Sequence, residues 1–337
     1  MPITSAKWSR VVFDPRLRRS SQALSVVAKK AYMFGGELVA RQPVDNDLYV
    51  IQLDQNSGPS IQTITAEGEA PTPRVGSPST RTEGTLWLFS GRGGLEMKPI
   101  EERGALWGYE VDVARWKMVQ PTDSSAPYPA GRSYHCITSN GKNTVYVHSG
   151  CPEKGRLSDL WAFDLQQKAW SELPPAPAPA RGGASIAYLS GKLYRLNGFD
   201  GKTEQGGNLD VFDISAGSWS VRRYRPDGIE GPEPRSVSTL LPVTVHGNDY
   251  LITMFGERDP SSLGHAGAGK MLGDAWVWDV QDETWQRLNT AGDTPEPRGW
   301  FDADVVSDDD AQCTVFIHGG LSEQNERLGD IWSLNLT

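Results

Sequence analysis

The chain has 337 residues, of which 38% are hydrophobic and 12 are Trp, so it can bury a large core. Its net charge of −9 and its pI of about 5.2 argue against nucleic acid or an anionic membrane as a partner, because both attract a basic face. The 36 Gly and 23 Pro are typical of many turns and short strands rather than long helices.

The cysteines and the N-terminus indicate where the protein resides. Cys136, Cys151 and Cys313 form no closely spaced pair, so we expect no thiolate metal cluster and a reducing compartment. Residues 1–10 contain no apolar leader, and no run approaches the ~18 apolar residues of a membrane span. The sequence therefore predicts a soluble cytoplasmic protein with neither a nucleic-acid nor a membrane partner.

One pattern recurs six times along the chain. Each unit opens with an Arg and a strand, continues with a hydrophobic strand ending in Gly, and then has a loop and a third segment with an aromatic residue. The opening arginines are Arg19, Arg74, Arg132, Arg181, Arg235 and Arg298. The strand-ending glycines are Gly35 and Gly36, Gly91, Gly150, Gly198, Gly256, and Gly319 and Gly320. The third segments start at Asp47, Leu106, Asp159, Asn208, Asp274 and Asp330, and Trp116, Trp170, Trp219 and Trp285 close four units.

The spacing of about 50–60 residues between successive glycines matches the kelch repeat period. The sequence therefore predicts an all-β, six-bladed kelch-type β-propeller that forms a single domain over residues 1–337. The sixth unit stops at Thr337 before its closing strand, and residues 7–10 are expected to supply that strand and so close the ring. We expect each opening Arg to hydrogen-bond carbonyl groups of the adjacent blade.

Two kinds of loop should meet at one mouth of the central channel: the loop after each strand-ending Gly and the connection into each Arg. The first kind supplies Glu37, Arg92, Cys151 with Arg156 further along, Phe199, Glu257 and Leu321. The second supplies the residues two positions past each Arg, which are Ser21, Gly76, Tyr134, Gly183, Val237 and Trp300. Carboxylates, arginines and aromatics around one axis indicate a small-molecule pocket. The alternative is that each charged residue belongs to a solvated loop.

The loop from Glu257 to Gly273 is the longest of its kind. It contains Glu257, Asp259 and His265 within nine residues. Two carboxylates and a His form a facial triad suited to Fe(II) or another divalent ion, with open positions for a substrate. The alternative is that His265 hydrogen-bonds the backbone.

At this level of detail the sequence resembles the plant specifier proteins of glucosinolate breakdown, which include nitrile-specifier, epithiospecifier and thiocyanate-forming proteins. The resemblance spans nearly the whole chain. The matching stretches are YMFGGELVARQPVDNDLYV (32–50), GRSYHCI (131–137), RLSDLWAFD (156–164), ARGGASIAYLSGKLYRLNGFDG (180–201), GPEPRSVS (231–238), GERDPSSLGHAGAGK (256–270) and PRGW (297–300). The specifier proteins are kelch propellers that act with non-haem Fe(II) on an unstable thiohydroximate-O-sulfonate.

The resemblance implies roles for individual residues. The pocket arginines of the family match Arg92 and Arg156, and its pocket aromatics match Tyr134 and Trp300. Its iron-binding Glu and His match Glu257 and His265, eight residues apart as in the family. The family has an Asp four residues after the Glu, where this chain has Ser261. Either Asp259 or Glu37 supplies the missing carboxylate, or the metal is absent.

Three functions follow from this reasoning. The first is an enzyme of specialised metabolism that catalyses a lyase- or isomerase-type rearrangement of a reactive intermediate supplied by an upstream enzyme, with Fe(II) as the cofactor. In this function Arg92 and Arg156 would hold a leaving anion. The predicted catalytic set is Arg92, Arg156, Tyr134, Trp300 and Glu37. The predicted substrate contacts are Phe199, Arg92 and Trp300. The second function is a metal-free cyclase or cycloaddition catalyst in the same pocket. The third is a kelch scaffold for protein–protein interaction.

Overall fold

The structure is a computed structural model that describes residues 3–53, 60–307 and 312–337, and at His265 the backbone but not the side chain. These residues form six four-stranded antiparallel sheets around a central axis, a six-bladed β-propeller. The predicted all-β propeller is therefore confirmed. No helix in the described ranges has the length and apolar character needed to cross a membrane.

The blades follow one another along the chain, and a short hairpin lies between the second and third strands of blades 1, 2 and 5. The chain enters through β1 (Ala6–Phe13), which belongs to the last blade, and a 3-10 helix at Pro15–Leu17. Blade 1 contains β2 (Ala23–Val27), β3 (Lys30–Phe34), the hairpin strands β4 (Glu37–Val39) and β5 (Gln42–Pro43), β6 (Leu48–Gln52) and β7 (Ile61–Ile64). Blade 2 contains β8 (Ser79–Thr82), β9 (Thr85–Phe89), the hairpin strands β10 (Arg92–Gly93) and β11 (Lys98–Pro99), β12 (Leu106–Glu110) and β13 (Arg115–Val119).

The remaining blades repeat this order. Blade 3 contains β14 (Cys136–Ser139), β15 (Thr144–Gly150), β16 (Leu157–Asp164) and β17 (Ala169–Leu173). Blade 4 contains β18 (Ser185–Leu189), β19 (Lys192–Leu196), β20 (Asn208–Asp213) and β21 (Ser218–Arg223). Blade 5 contains β22 (Leu241–Val245), β23 (Asn248–Met254), the hairpin strand β24 (Glu257–Arg258), a 3-10 helix at Gly264–Ala266, the hairpin strand β25 (Lys270–Met271), β26 (Ala275–Asp279) and β27 (Thr284–Arg287). Blade 6 follows β28 (Arg298–Gly299) and contains β29 (Asp302–Ser307), β30 (Cys313–His318), β31 (Leu321–Ser322), which pairs with β28, and β32 (Asp330–Leu336).

The two ends of the chain close the ring in one sheet. Strand β1 pairs antiparallel with β32, with Trp8 opposite Leu334 and Ala6 opposite Leu336. The N-terminal strand is thus the outermost strand of blade 6, as predicted, and it extends over Ala6–Phe13 rather than residues 7–10. Closure pairs strands that would otherwise be exposed sheet edges.

The hydrophobic core lies between neighbouring blades. Strands with apolar residues at alternate positions present one apolar row to each neighbouring blade. Between blades 1 and 2, for example, the rings of Phe34 and Trp116 meet with centroids 5.2 Å apart, and Leu88 is 1% exposed. Complete burial of one such side chain stabilises the fold by about 1.5–3 kcal/mol. Similar clusters join the other neighbouring blades of the described chain.

The side chain of each opening Arg bonds groups within its own blade. The expectation that these arginines bond carbonyl groups of the adjacent blade is therefore wrong. In blade 6, Arg298 donates to the carbonyl of Gly319 at the end of the second strand and forms a 2.7 Å ion pair with Asp330 at the start of the third. Trp332 donates its indole N–H to the same carboxylate. Arg132 with Asp159 and Arg235 with Asp274 repeat this arrangement. The acid two positions before each Trp therefore joins the Arg to the third strand.

The backbone around the axis forms a closed ring of hydrogen bonds. One residue from the connection into each blade donates its N–H to the carbonyl of the preceding connection, over distances of 2.7–3.1 Å. These six residues of the described chain, the axial ring, are Ser21, Gly76, Tyr134, Gly183, Val237 and Trp300. Each has a positive φ between 46° and 60°. Non-Gly residues rarely adopt this conformation, so closure of the ring holds four of them in strained backbone.

The strand-ending glycines form a second set of inter-blade bonds, because one of them in each blade donates its N–H to the carbonyl of the Arg that opens the next blade. Two alanine variants in blade 2 test whether these positions also require the absence of a side chain. Gly91 and Gly84 have nearly the same φ, 106° and 102°, but a Cβ on Gly91 would lie 2.8 Å from the Ser77 Cβ, whereas one on Gly84 would meet nothing within 4 Å. Gly84→Ala should cost about 1 kcal/mol in the free energy of unfolding, from positive φ alone.

Gly91→Ala should cost at least about 2 kcal/mol more than Gly84→Ala, because the clash adds to the same backbone strain. Chemical denaturation of the two variants measures the difference. Equal losses would contradict the close approach of Gly91 to Ser77 in the connection into blade 2.

Candidate functional site

The two predicted sets of loop residues meet at one mouth of the propeller. In each blade, the residue after the strand-ending Gly pairs through the backbone with the residue after the opening Arg. The pairs are Ser20 with Glu37, Val75 with Arg92, Ser133 with Cys151, Gly182 with Phe199, Ser236 with Glu257, and Gly299 with Leu321. The residues after the glycines therefore surround the axial ring as a second circle.

Tyr134 and Trp300 cover the axis itself. Their rings meet edge to face with centroids 5.1 Å apart, and the Tyr134 hydroxyl lies 3.4 Å from the Ser21 hydroxyl. Burial raises the pKa of Tyr134 well above its ordinary value, so this phenol stays protonated at neutral pH. Because these side chains occupy the axis, the open space at this mouth lies to the sides of it.

The first cavity has a volume of about 200 Å³ and lies off the axis against blades 3, 4 and 5. Its wall residues include Arg156, Phe199, Glu204, Glu257 and Trp300. Part of the loop between β24 and β25 also lines it, through residues 260, 261 and 264. An apolar wall with a few polar groups is the usual composition of a small-molecule site.

The second cavity has a volume of about 150 Å³ and lies beside the first. It is lined by Glu37, Arg41 and Arg92 among others, and it shares Tyr134, Cys151 and Arg156 with the first cavity. The predicted site residues are thus divided between two adjoining cavities rather than gathered in one. Arg156 and Tyr134 face both cavities, whereas Phe199, Glu257 and Trp300 line the first cavity and Arg92 and Glu37 line the second.

Arg92 is bound by the protein's own backbone. Its guanidinium donates to the carbonyls of Met97 and Pro152, at 3.1 Å each, and to the Ser133 hydroxyl. These bonds hold the loop that follows β15 against the hairpin of blade 2. Arg92 therefore has less hydrogen-bonding capacity for a ligand than the sequence suggested.

Arg156 retains donors that face the cavity. Among the described residues its guanidinium makes one hydrogen bond, from Nη1 to the carbonyl of Gly155, and its guanidinium carbon lies 6.0 Å from the centroid of the Phe199 ring. Its buried Nε has no hydrogen-bond partner within the described residues. A guanidinium with unused donors beside an aromatic ring is suited to an anion or a carbonyl oxygen.

Glu37 lines the second cavity, where other residues of the chain bind its carboxylate. Its carboxylate accepts a 3.2 Å hydrogen bond from Arg327 and one of 2.7 Å from the N–H of Arg41. Burial raises the pKa of Glu37 even though these two partners lower it. Glu37 is therefore bound by Arg327 in the second cavity.

The predicted metal ligands are not brought together by the side chains that the structure describes. Glu257 is 5% exposed and accepts a 2.7 Å bond from the N–H of Gly269, and burial raises its pKa. The carboxylate of Asp259 pairs with Arg258 at 3.1 Å, and its side chain is 70% exposed. The His265 side chain lies outside the described residues. Within those residues, no three His, Cys, Asp or Glu side chains are grouped so that they could hold a metal.

Glu204 is a site residue that sequence reasoning missed. It lies opposite Phe199 in an antiparallel bridge and lines the first cavity, where its buried Oε1 has no hydrogen-bond partner among the described residues. Burial first, and then the charges of Glu257, Asp259 and Asp200, raise the pKa of Glu204 to about 7. The only sequence signal was an acid in the loop after Gly198, where solvated carboxylates are common.

This pKa predicts how Glu204 affects stability as the pH changes. A carboxyl whose pKa is raised from its ordinary value of 4.5 to about 7 favours folding in its protonated form. Its contribution is thus present at low pH and is lost as the pH rises through about 7. Glu204→Gln should therefore stabilise the protein at pH 8 relative to the wild type, and this gain should shrink at pH 5.

Urea unfolding of both proteins at the two pH values measures this effect. Glu172→Gln on the outer strand of blade 3, where the side chain is exposed, is the control and should show no such pH-dependent gain. A Glu204→Gln variant that is equally stabilised or destabilised at both pH values would contradict the raised pKa.

Comparison with known proteins places this architecture among kelch repeats. A family model described as the KLHDC2/KLHL20/DRC7 Kelch-repeats domain matches residues 21–256, more than two thirds of the chain. An N-(sulfonatooxy)prop-2-enimidothioate sulfolyase from Thlaspi arvense is 26% identical, over 93% of this chain and 91% of that protein. Tip elongation aberrant protein 1 from Schizosaccharomyces pombe is 29% identical over 59% of this chain, and the match spans only 18% of that protein. The structure of YjhT aligns with a TM-score of 0.71 over 96% of both chains at 15% identity, which shows the shared fold alone.

Proposed function

The chain belongs to the family of kelch-repeat domains, and on that premise we propose that its first cavity binds a small molecule and promotes a lyase-type reaction of it. The reaction class is proposed by similarity to the Thlaspi arvense sulfolyase, which matches almost the full length of this chain. The observation that carries the proposal is the composition of the first cavity. Arg156, Glu204 and Glu257 lie there with the aromatic rings of Phe199 and Trp300.

The chemistry that this cavity supports is the departure of an anion. Arg156 faces the cavity with unused donors, so it would stabilise negative charge that develops on a leaving group such as sulfate. Phe199 and Trp300 would exclude water and hold the apolar part of the substrate. Glu257 and Glu204 would accept hydrogen bonds from the substrate or donate them to it. An isomerase-type or cyclase outcome in the same cavity would use the same contacts, with orientation of the substrate supplying the acceleration.

Binding of Fe(II) at this site remains a prediction. Of the three predicted ligands, Glu257 is the one whose described side chain lines the first cavity, and the described side chains by themselves do not fit an iron site. If Glu257 and His265 bind Fe(II), the metal would act as a Lewis acid toward a sulfur or oxygen atom of the substrate.

The proposed activity is tested with N-(sulfonatooxy)prop-2-enimidothioate generated in the presence of the protein. We expect the protein to accelerate sulfate release or to change the organic product, because Arg156 stabilises the leaving anion. Arg156→Met should reduce this effect about 100-fold, which is the usual loss when one donor to a developing anion is removed. Ion chromatography of sulfate and gas chromatography of the organic product measure the two outcomes.

Arg115→Met is the matched control, because Arg115 is 71% exposed on the outer strand of blade 2. It should leave both the rate and the product unchanged. Identical sulfate release and identical products with and without the protein would reject a sulfolyase activity.

Metal binding is tested separately by anaerobic titration of Fe(II) into the wild type and three variants. Glu257→Gln and His265→Ala should each weaken binding, because they remove the ligands that the sequence pattern predicts. Asp259→Asn should leave the affinity unchanged, because its carboxylate pairs with Arg258 and is largely exposed. Loss of binding in Asp259→Asn as large as in Glu257→Gln would show that the loop rearranges around the metal.

A protein-interaction scaffold is the second candidate, and one surface feature favours it. Several hairpins and loops that follow the second strands carry exposed apolar side chains, namely Leu38, Val39, Leu95 and Leu263. Exposed apolar residues on adjacent loops are typical of contact surfaces. Under this function a partner would cover the mouth and the upstream enzyme would be one such partner.

A further inference from the structure

The first cavity contains two charged side chains that face the same space without forming an ion pair. In the described part of the chain, neither Arg156 nor Glu204 takes part in a salt bridge. Each also has a buried polar atom with no hydrogen-bond partner among the described residues, Nε in Arg156 and Oε1 in Glu204. Most buried polar atoms in folded proteins do have partners, so two side chains that line one cavity and each carry an unpaired atom need an explanation.

Phe199 neighbours both groups. Glu204 lies directly opposite Phe199 in an antiparallel bridge, where side chains point to the same face of the hairpin about 4.5–5.5 Å apart. Arg156 lies at the ring of Phe199, with its guanidinium carbon 6.0 Å from the centroid. Phe199 is therefore a shared neighbour of a carboxyl group and a guanidinium that form no ion pair within the described residues.

We infer that this cavity takes a compact amphoteric ligand, whose apolar body lies against Phe199 and Trp300, whose hydrogen-bond donor faces Glu204 and whose anionic group faces Arg156. Such a ligand supplies a partner of opposite character for each of the two side chains that line the cavity. A purely anionic ligand would leave Glu204 unpaired beside Glu257, and a purely cationic ligand would leave Arg156 unpaired. This inference rests on the proposed small-molecule function and narrows the ligands of the same site to those that carry a hydrogen-bond donor, so the donor-free N-(sulfonatooxy)prop-2-enimidothioate should bind less tightly than an analogue with a donor. It makes Glu204 the residue that determines specificity for the donor group.

The test uses two series of probes that share an apolar body and differ in their charged groups. One series is phenylalanine, phenethylamine and 3-phenylpropionate, and the other is leucine, isoamylamine and 4-methylpentanoate. Isothermal titration with the full chain measures the affinity of each probe. In at least one series, the amino acid should bind about tenfold or more tightly than either compound with a single charged group, because a site built for a polar group rejects analogues that lack it.

Two variants identify the contacts. Glu204→Gln should weaken binding of the amino acid and the amine but leave the carboxylate probe unchanged, whereas Arg156→Met should weaken the amino acid and the carboxylate but leave the amine unchanged. Glu172→Gln, on the exposed face of blade 3, is the control and should change none of the affinities. Circular dichroism and thermal unfolding establish that each variant is folded.

The possible failures are distinguishable. If compounds with one charged group bind as tightly as the amino acids, or if Glu204→Gln leaves amine binding unchanged, the amphoteric inference is overturned and the small-molecule pocket remains. If no probe binds but the sulfolyase assay is positive, the inference alone is again overturned. If no probe binds and that assay is negative, both the inference and the proposed function are rejected.

Discussion

The closed ring of backbone hydrogen bonds around the axis is the constraint on which the rest of this structure depends. It joins residues 21, 76, 134, 183, 237 and 300, each from the connection into a different blade, and each bond requires the neighbouring connection to be in place. The positive φ at every position turns the chain sharply at the axis. Because the bonds run in a circle, a shift in one connection would disturb its two neighbours, which makes the mouth a rigid frame.

That frame determines where a ligand can bind. Two axial-ring positions carry large aromatic side chains, Tyr134 and Trp300, and two carry glycine, Gly76 and Gly183. The aromatic pair covers the axis, so the space available for a ligand lies off the axis. Gly183 and Trp300 both border the first cavity. Gly183 has no side chain to fill this space, whereas the side chain of Trp300 forms part of the wall. A nearly symmetric scaffold thus produces an asymmetric site.

The same motif position has opposite roles in different blades. The residue after the strand-ending Gly is Arg92 in blade 2, Phe199 in blade 4 and Glu257 in blade 5. Arg92 holds a neighbouring loop through carbonyl groups, whereas Phe199 and Glu257 line the first cavity. A charged side chain at this position therefore stabilises the frame or faces the ligand, depending on the length and direction of the next loop. The proposed chemistry depends on the second case.

Much of the fold was determined by the sequence alone. Recurrence of Arg, Gly and Trp at a fixed period, and a last unit without its outer strand, predicted six blades closed by the N-terminal strand, because a repeat of that period forms one sheet and the N-terminal strand completes the last one. The mouth was predictable too, because topology places the two kinds of loop together.

The division into two cavities depended on tertiary structure, since side-chain direction in loops has no periodic signal. Tertiary structure also decided that Arg92 bonds the backbone, that Asp259 pairs with Arg258, and that the buried Oε1 of Glu204 has no hydrogen-bond partner among the described residues. Burial and partners belong to the folded surroundings of a residue, and for Arg92 part of those surroundings comes from blade 3.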